Sequence, residues 1–246
     1  MKATGVTVDP AEVARFAAQA ANWWDPAGSF RPLHRLNPAR LQLIREELVA
    51  LFGRDSRSLH PFDGLALADI GCGGGLIAEP MARLGCAVTA IDADEEAIAV
   101  ARAHAAAGGL KIDYRRATAE ALVRGRKRFD VVLALEIIEH VADPQAFLNA
   151  CGMLLKAGGV FVGATLNRTP QSYALAIVGA ERLLGWLPPG THDWQRFMRP
   201  SEFVLGLRRA GIGATRLRGL RYSLTSGEWA PTDDLSVNYM VTAVKK

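Results

Sequence analysis

The chain has 246 residues, half of them hydrophobic, with 29 Lys and Arg against 25 Asp and Glu and a net charge of +4. That is enough apolar material to bury a full core in one elaborated domain, which excludes a mainly disordered chain, and so small and dispersed a charge leaves no footprint for nucleic acid. No window approaches the roughly 20 uninterrupted apolar residues of a spanning helix, and the N-terminus lacks a basic stretch followed by an apolar one, so a soluble or peripheral protein is expected.

In chain order, Pro10 to Trp24 has helical spacing through Val13, Phe16, Ala17, Ala20 and Trp24, and Pro38 opens a second helix to about Phe52. Residues 1–60 therefore read as an N-terminal helical cap. From Leu65 apolar runs alternate with helical patterns: Leu65–Ile70, Leu76–Leu84, Ala87–Ile91, Glu95–Ala107, Lys111–Arg115, Asp130–Leu135, Pro144–Leu155 and Val160–Thr165. Such alternation predicts an α/β fold with a parallel, doubly wound sheet over 65–165. An insertion at 168–200 follows, and 201–246 supplies a helix and two strands, Ala214–Leu220 and Val237–Val244, which should pair as an antiparallel edge hairpin. The total is a seven-stranded sheet in a single domain over 1–246.

Arg115, Arg116, Arg124, Arg126, Lys127 and Arg128 form the one dense basic stretch, read as a solvated loop in preference to a phosphate or lipid patch. Cys72, Cys86 and Cys151 lack metal-ligand spacing and sit in or beside apolar segments, as reduced buried thiols of a cytoplasmic protein do.

The first strand delivers Asp69-Ile-Gly-Cys-Gly-Gly-Gly75 into a helix, and the next ends at Asp92. A glycine turn lets backbone approach a ligand, and an acid about twenty residues on can grip a ribose diol. Gly73, Gly75 and Ala78 also satisfy the looser dinucleotide pattern, so the glycines leave the cofactor open between a nicotinamide dinucleotide and a methyl donor. Asp69 favours the second, because a carboxylate at the strand end repels a pyrophosphate and attracts the cationic methionyl end of S-adenosylmethionine. Gly71 and Gly73 would line the methionyl and ribose parts and Asp92 the ribose hydroxyls, with a helix-capping role as its alternative. Leu135, at the end of its strand, would lie against the adenosine or simply in the core.

Glu136-Ile-Ile-Glu-His140 follows that strand at the ligand edge. On a helical turn Glu136, Glu139 and His140 share one face, a set that suits a divalent ion such as Mg²⁺ completed by water, although His is an unusual ligand for it. The competing reading gives Glu136 a hydrogen bond to substrate, Glu139 a local pairing and His140 the role of general base. Methyl transfer to a phenol needs an aligned nucleophile about 3 Å from the methyl carbon and a route for its proton. His140 is the leading base and His192 the second.

Asp-x-Gly-x-Gly with an acid ending the next strand resembles motifs I and II of class I methyltransferases, whose fold is Rossmann-like. Asn22-Trp-Trp-Asp25, Gly28 to Arg40, Glu136 to His140, Thr165-Leu-Asn-Arg168 and Gly190-Thr-His-Asp193 extend the resemblance, from about Glu12 to Lys246, to the ubiquinone biosynthesis O-methyltransferases. The resemblance implies methyl-donor contacts from Arg40, Gly71, Asp92 and Leu135, and in some relatives Mg²⁺ at Glu136, Glu139 and His140. Leu135 stands where members often have Met, and Ala93-Asp94 where some have Met-Gly. It also implies two acceptors, a polyprenylated catechol-type phenol and a demethylated quinol, and a place beside a ubiquinone-biosynthesis complex.

Between Ser172 and Leu187, Tyr173, Leu175, Ala176, Ile177, Ala180, Leu183, Leu184 and Trp186 supply a large apolar surface, read as an interfacial helix at the inner face of the cell membrane, a lid over the site, or both. Two other functions remain at this stage: a methyltransferase for a soluble phenol or amine, and a non-enzymatic membrane or assembly module.

Overall fold

β1 (Ala66–Ile70) is apolar except at Asp69 and buried from Leu67 onward, because parallel neighbours close both its edges and helices cover both its faces. The computed structural model describes residues 7–17, 19–175, 193–223 and 225–246. β2 (Ala87–Asp92), β3 (Asp113–Arg116), β4 (Phe129–Leu135) and β5 (Leu155–Leu166) complete a parallel set with β1. β8 (Asn238–Lys245) lies antiparallel against β5, β6 (Ile212–Tyr222) antiparallel against β8, and β7 (Trp229–Thr232) antiparallel on the outside of β6. The order is β3-β2-β1-β4-β5-β8-β6-β7, eight strands where seven were expected. The expected pairing of the two late strands is present, but β7 lies in their connection.

Alternation along the strands divides the core. Leu67 of β1 points to a cluster with Leu43, Ile44 and Leu48 of α2 (Arg31–Leu51), Met81 of α3 (Ala78–Arg83) and Ile98 of α4 (Glu95–Ala107). Ala68 and Ile70 point the other way, towards Leu122 of α5 (Ala119–Arg124), Phe147 and Leu154 of α6 (Pro144–Leu154), and Phe203 of α8 (Pro200–Arg209). A single turn, α7 (Pro170–Ser172), follows β5.

The cap differs from expectation in its boundaries. α1 (Pro10–Ala17) stops early and a 3₁₀ turn covers Ala20–Asn22. α2 begins at Arg31, since Pro32 in its first turn needs no N–H partner, so Pro38 falls inside the helix and removes one backbone bond there. α5 was not expected as a helix; Thr118 caps it by accepting the Ala121 N–H at 3.2 Å. Arg126, Lys127 and Arg128 form an exposed loop after it, whereas Arg124 is its last residue and Arg115 and Arg116 lie exposed on β3, and the three cysteines are free and buried. The apolar stretch 172–187, beyond Leu175, and His192 lie outside the described residues.

Phe161 on β5 is fully buried, 6.1 Å edge-to-face from Phe203. Phe161→Ala is expected to destabilise the protein by about 3–5 kcal/mol, lowering the urea midpoint with little change in slope; a midpoint within error of the parent would contradict this packing.

Candidate active site

The strand order reverses beside β1, where β2 leads off one way and β4 the other, and a crevice forms there at the carboxyl ends. The glycine loop lies at this crevice. Gly71 (φ +74°) and Gly73 (φ +51°) adopt left-handed backbone, and an added Cβ would stand 2.3 Å from the Ile137 side chain and 2.4 Å from the Trp23 ring respectively. The Gly71 and Cys72 N–H groups donate to Ile91 O at 2.8 and 3.0 Å, and the Gly73 N–H donates to Asp92 Oδ2 at 2.9 Å. Asp92 Oδ1 accepts the Asp94 N–H at 2.9 Å, while the Asp94 side chain accepts from Glu96 and caps α4. The capping role therefore belongs to Asp94, leaving Asp92 against the loop.

The Trp-Trp-Asp element closes over the same loop. Trp23 stacks on Phe30 with ring centroids 3.7 Å apart, and Trp24 Nε1 donates to Gly74 O at 2.9 Å while its ring stacks on His104 at 3.5 Å.

A cleft of about 610 Å³ runs from this loop across the end of β4, within the size range of ligand pockets. Trp23 Nε1, Arg40 Nε, Asp69 Oδ2, Asp94 Oδ2 and Glu139 Oε1 are buried without a hydrogen-bond partner, and all five belong to residues lining it. Orphaned groups at one cavity mark a place prepared for polar ligand atoms. Burial, and secondarily the Asp92 carboxylate, pushes Asp69 up to about 7; burial also raises Asp92. Two buried acids against one wall favour a cationic ligand there, the physical property expected of Asp69. Leu135 is half-buried, lines the cleft and packs on the core, so both of its readings hold together.

The Glu136 to His140 segment does not form the converging set expected of a metal site. Glu136 leaves β4 with φ +52°, a strained conformation for a residue with a side chain, and its Oε1 accepts from Arg40 Nη2 at 2.5 Å. Glu139 is buried, accepts from Thr165 Oγ1 at 2.9 Å, and is raised well above the carboxylate range by burial and then by Glu136. His140 also lines the cleft but pairs with a different acid, its Nδ1 2.7 Å from Glu12 Oε2. Helical neighbour geometry does not apply, because only Ile138–His140 form a helical turn, a 3₁₀ one. Among the described residues no three His, Cys, Asp or Glu side chains are arranged to hold a metal ion. With a guanidinium on Glu136 and a proton favoured on Glu139, the residues do not fit Mg²⁺.

Sequence reasoning missed Glu12, which accepts from Arg15 Nη2 at 2.6 Å as well as facing His140. No local signal could have found a partner 128 residues away. It also gave no role to Trp23 and Trp24, although the resemblance marked them.

A family model described as a methyltransferase domain matches residues 68–163. The ubiquinone biosynthesis O-methyltransferase of Parvibaculum lavamentivorans is 54% identical over 242 residues, covering 98% of this chain and 96% of its own. Its counterpart in Caulobacter vibrioides is also 54% identical, over 97% and 95%. The chain belongs to the ubiquinone biosynthesis O-methyltransferase family. Like that family it is an S-adenosylmethionine-dependent O-methyltransferase. Among solved structures, magnesium protoporphyrin IX methyltransferase from Synechocystis with bound S-adenosylhomocysteine superposes with TM-score 0.62 at 17% identity, over 95% of this chain and 94% of that one. N-methyltransferase NodS from Bradyrhizobium japonicum, also in complex with S-adenosylhomocysteine, gives 0.60 at 14%, over 95% and 98%. These likenesses confirm the class I methyltransferase fold of this family member.

In the ligand-free enzyme the unfolded chain ionises Asp69 near 3.8, whereas the folded chain keeps the proton to about 7. The raised folded value makes Asp69 increasingly unfavourable to folding as pH climbs between those limits. Asp69→Asn should therefore flatten the loss of unfolding free energy between about pH 4 and about pH 7, read by urea titration at each pH. Parallel pH profiles for parent and variant would contradict the assignment.

Proposed function

We propose that this chain methylates a phenolic oxygen of polyprenylated catechol intermediates in ubiquinone biosynthesis, converting the 2-polyprenyl-6-hydroxyphenol to its methoxyphenol and 3-demethylubiquinol to ubiquinol. The observation that carries this reading is the cleft crossing the end of β4, with the orphaned carboxyl oxygens of Asp69 and Asp94 on the β1 and β2 side, Arg40, Glu136 and Glu139 at its middle, and Leu36, Leu166 and Trp229 beyond.

Gly71 and Gly73 hold backbone close to the donor, and Asp92 meets its ribose hydroxyls with the lone pairs its two backbone bonds leave over. Asp69 would hold the cationic methionyl end, Arg40, with its unpaired Nε, the donor carboxylate, and Leu135 the adenosine. S-adenosylmethionine supplies an electrophilic methyl group there. Glu136, fixed by Arg40, receives a ring hydroxyl, and His140, held by Glu12, takes the phenol proton as the oxygen becomes nucleophilic. His192 remains a second base by sequence alone. No step runs through a metal.

The apolar stretch 172–187 is proposed to hold the enzyme peripherally at the inner face of the cell membrane, where a polyprenyl-tailed substrate would partition. Among the described residues no helix is long and apolar enough to cross a membrane.

Labelled S-adenosylmethionine, a short-tailed demethylubiquinol and the purified protein should yield a labelled methoxy product, in undiminished amount with chelator. Donor binding without transfer to the quinol would overturn the acceptor assignment, and abolition by chelator would overturn the metal-free route.

A further inference from the structure

The cleft extends beyond the residues assigned to the donor, and its second arm has a different chemistry. β8 is antiparallel to β5 and β6 antiparallel to β8, so β6 runs with β5 and its last residue, Tyr222, reaches the same carboxyl edge as Leu166. β7 starts at that edge with Trp229 directly opposite Tyr222, their ring centroids 5.5 Å apart. α2 packs against β7 and brings Leu33 and Leu36, one turn apart, to the cleft. The cofactor side of β4 therefore meets Asp69, Asp92 and Asp94, whereas the far side is walled by Leu36, Leu166, Tyr222 and Trp229, with Asn238 opposite Leu166 and none of them charged.

We propose that this apolar arm, between α2 and the β6–β7 hairpin, binds the first isoprene units of the acceptor's tail. The inference rests on the acceptor class assigned above and adds where the tail lies and which residues select it. The arm is continuous with the cleft at Glu136, so its occupant is joined to whatever ring sits there. A methyl-branched hydrocarbon gains from leaving water for such walls, and aromatic side chains supply much of the contact area. Both acceptors carry the tail, so the arm takes it in each case, while the oxygens methylated stand at neighbouring ring positions, meta and para to it.

The test uses the full chain and two probes, a catechol bearing a two-isoprene tail and the same catechol without one. Calorimetric titration in the presence of S-adenosylhomocysteine gives their affinities, and labelled S-adenosylmethionine their turnover. The parent should prefer the tailed catechol at least about tenfold in Kd. Trp229→Ala and Leu36→Ala should each reduce that preference about tenfold, as should Leu166→Trp, which fills the arm from the end of β5 without truncating a core contact; S-adenosylhomocysteine affinity should stay within about twofold throughout. A preference that survives all three changes, or losses that fall equally on both catechols, would overturn the proposal. Preferential binding of the tailed catechol without methyl transfer would retire the acceptor reading and leave the tail arm standing. Methylation of both catechols with equal affinity would do the reverse.

Discussion

The hydrogen bond from the Gly73 N–H to the Asp92 carboxylate is the constraint on which the site depends. It ties a loop with three left-handed glycines, Gly71, Gly73 and Gly75, to the last residue of the neighbouring strand, and a side chain at Gly71 or Gly73 would collide with Ile137 or Trp23. Asp92 is freed for this because Asp94 takes over the helix cap. Trp24 fixes the loop from outside through Gly74 O. Cap, loop and second strand therefore form one unit, and the pocket is shaped before any ligand arrives.

Charge is distributed around that unit in a way that separates two tasks. Asp69 and Asp92 leave the donor side in need of a cation, and burial rather than hydrogen bonding governs both. Beyond β4, Arg40 and Glu136 satisfy each other in a strained backbone position, and Glu139 is disposed to keep its proton. The strain at Glu136 is stored where the transferred group must arrive, as is common at functional sites.

The glycine loop, Asp92, the alternating core elements and the parallel sheet were legible in the sequence because each rests on local periodicity or on a spacing of a few residues. β7 was not, since Pro231 interrupts its short run; proline is tolerated there because β7 is the edge strand. The start of α2 was misread because Pro38 looked like an opening residue while Pro32 served as one. The metal reading of Glu136, Glu139 and His140 assumed a helical turn that the left-handed φ of Glu136 prevents. Glu12 and the apolar arm depend on contacts between distant segments, which no pattern within either segment encodes.

The double role of Asp92, holding the loop and facing the ribose, is tested most directly by calorimetric titration of S-adenosylhomocysteine into Asp92→Asn and Asp94→Ala. Asparagine offers one acceptor oxygen where two are used, so a loss of about 100-fold, or about 2.7 kcal/mol, is expected for the first. Asp94→Ala, which removes the helix cap and a carboxylate that lines the cleft but leaves the bond from Gly73 to Asp92, should cost clearly less affinity than Asp92→Asn while lowering stability by about 1 kcal/mol. Wild-type affinity in Asp92→Asn would contradict the account.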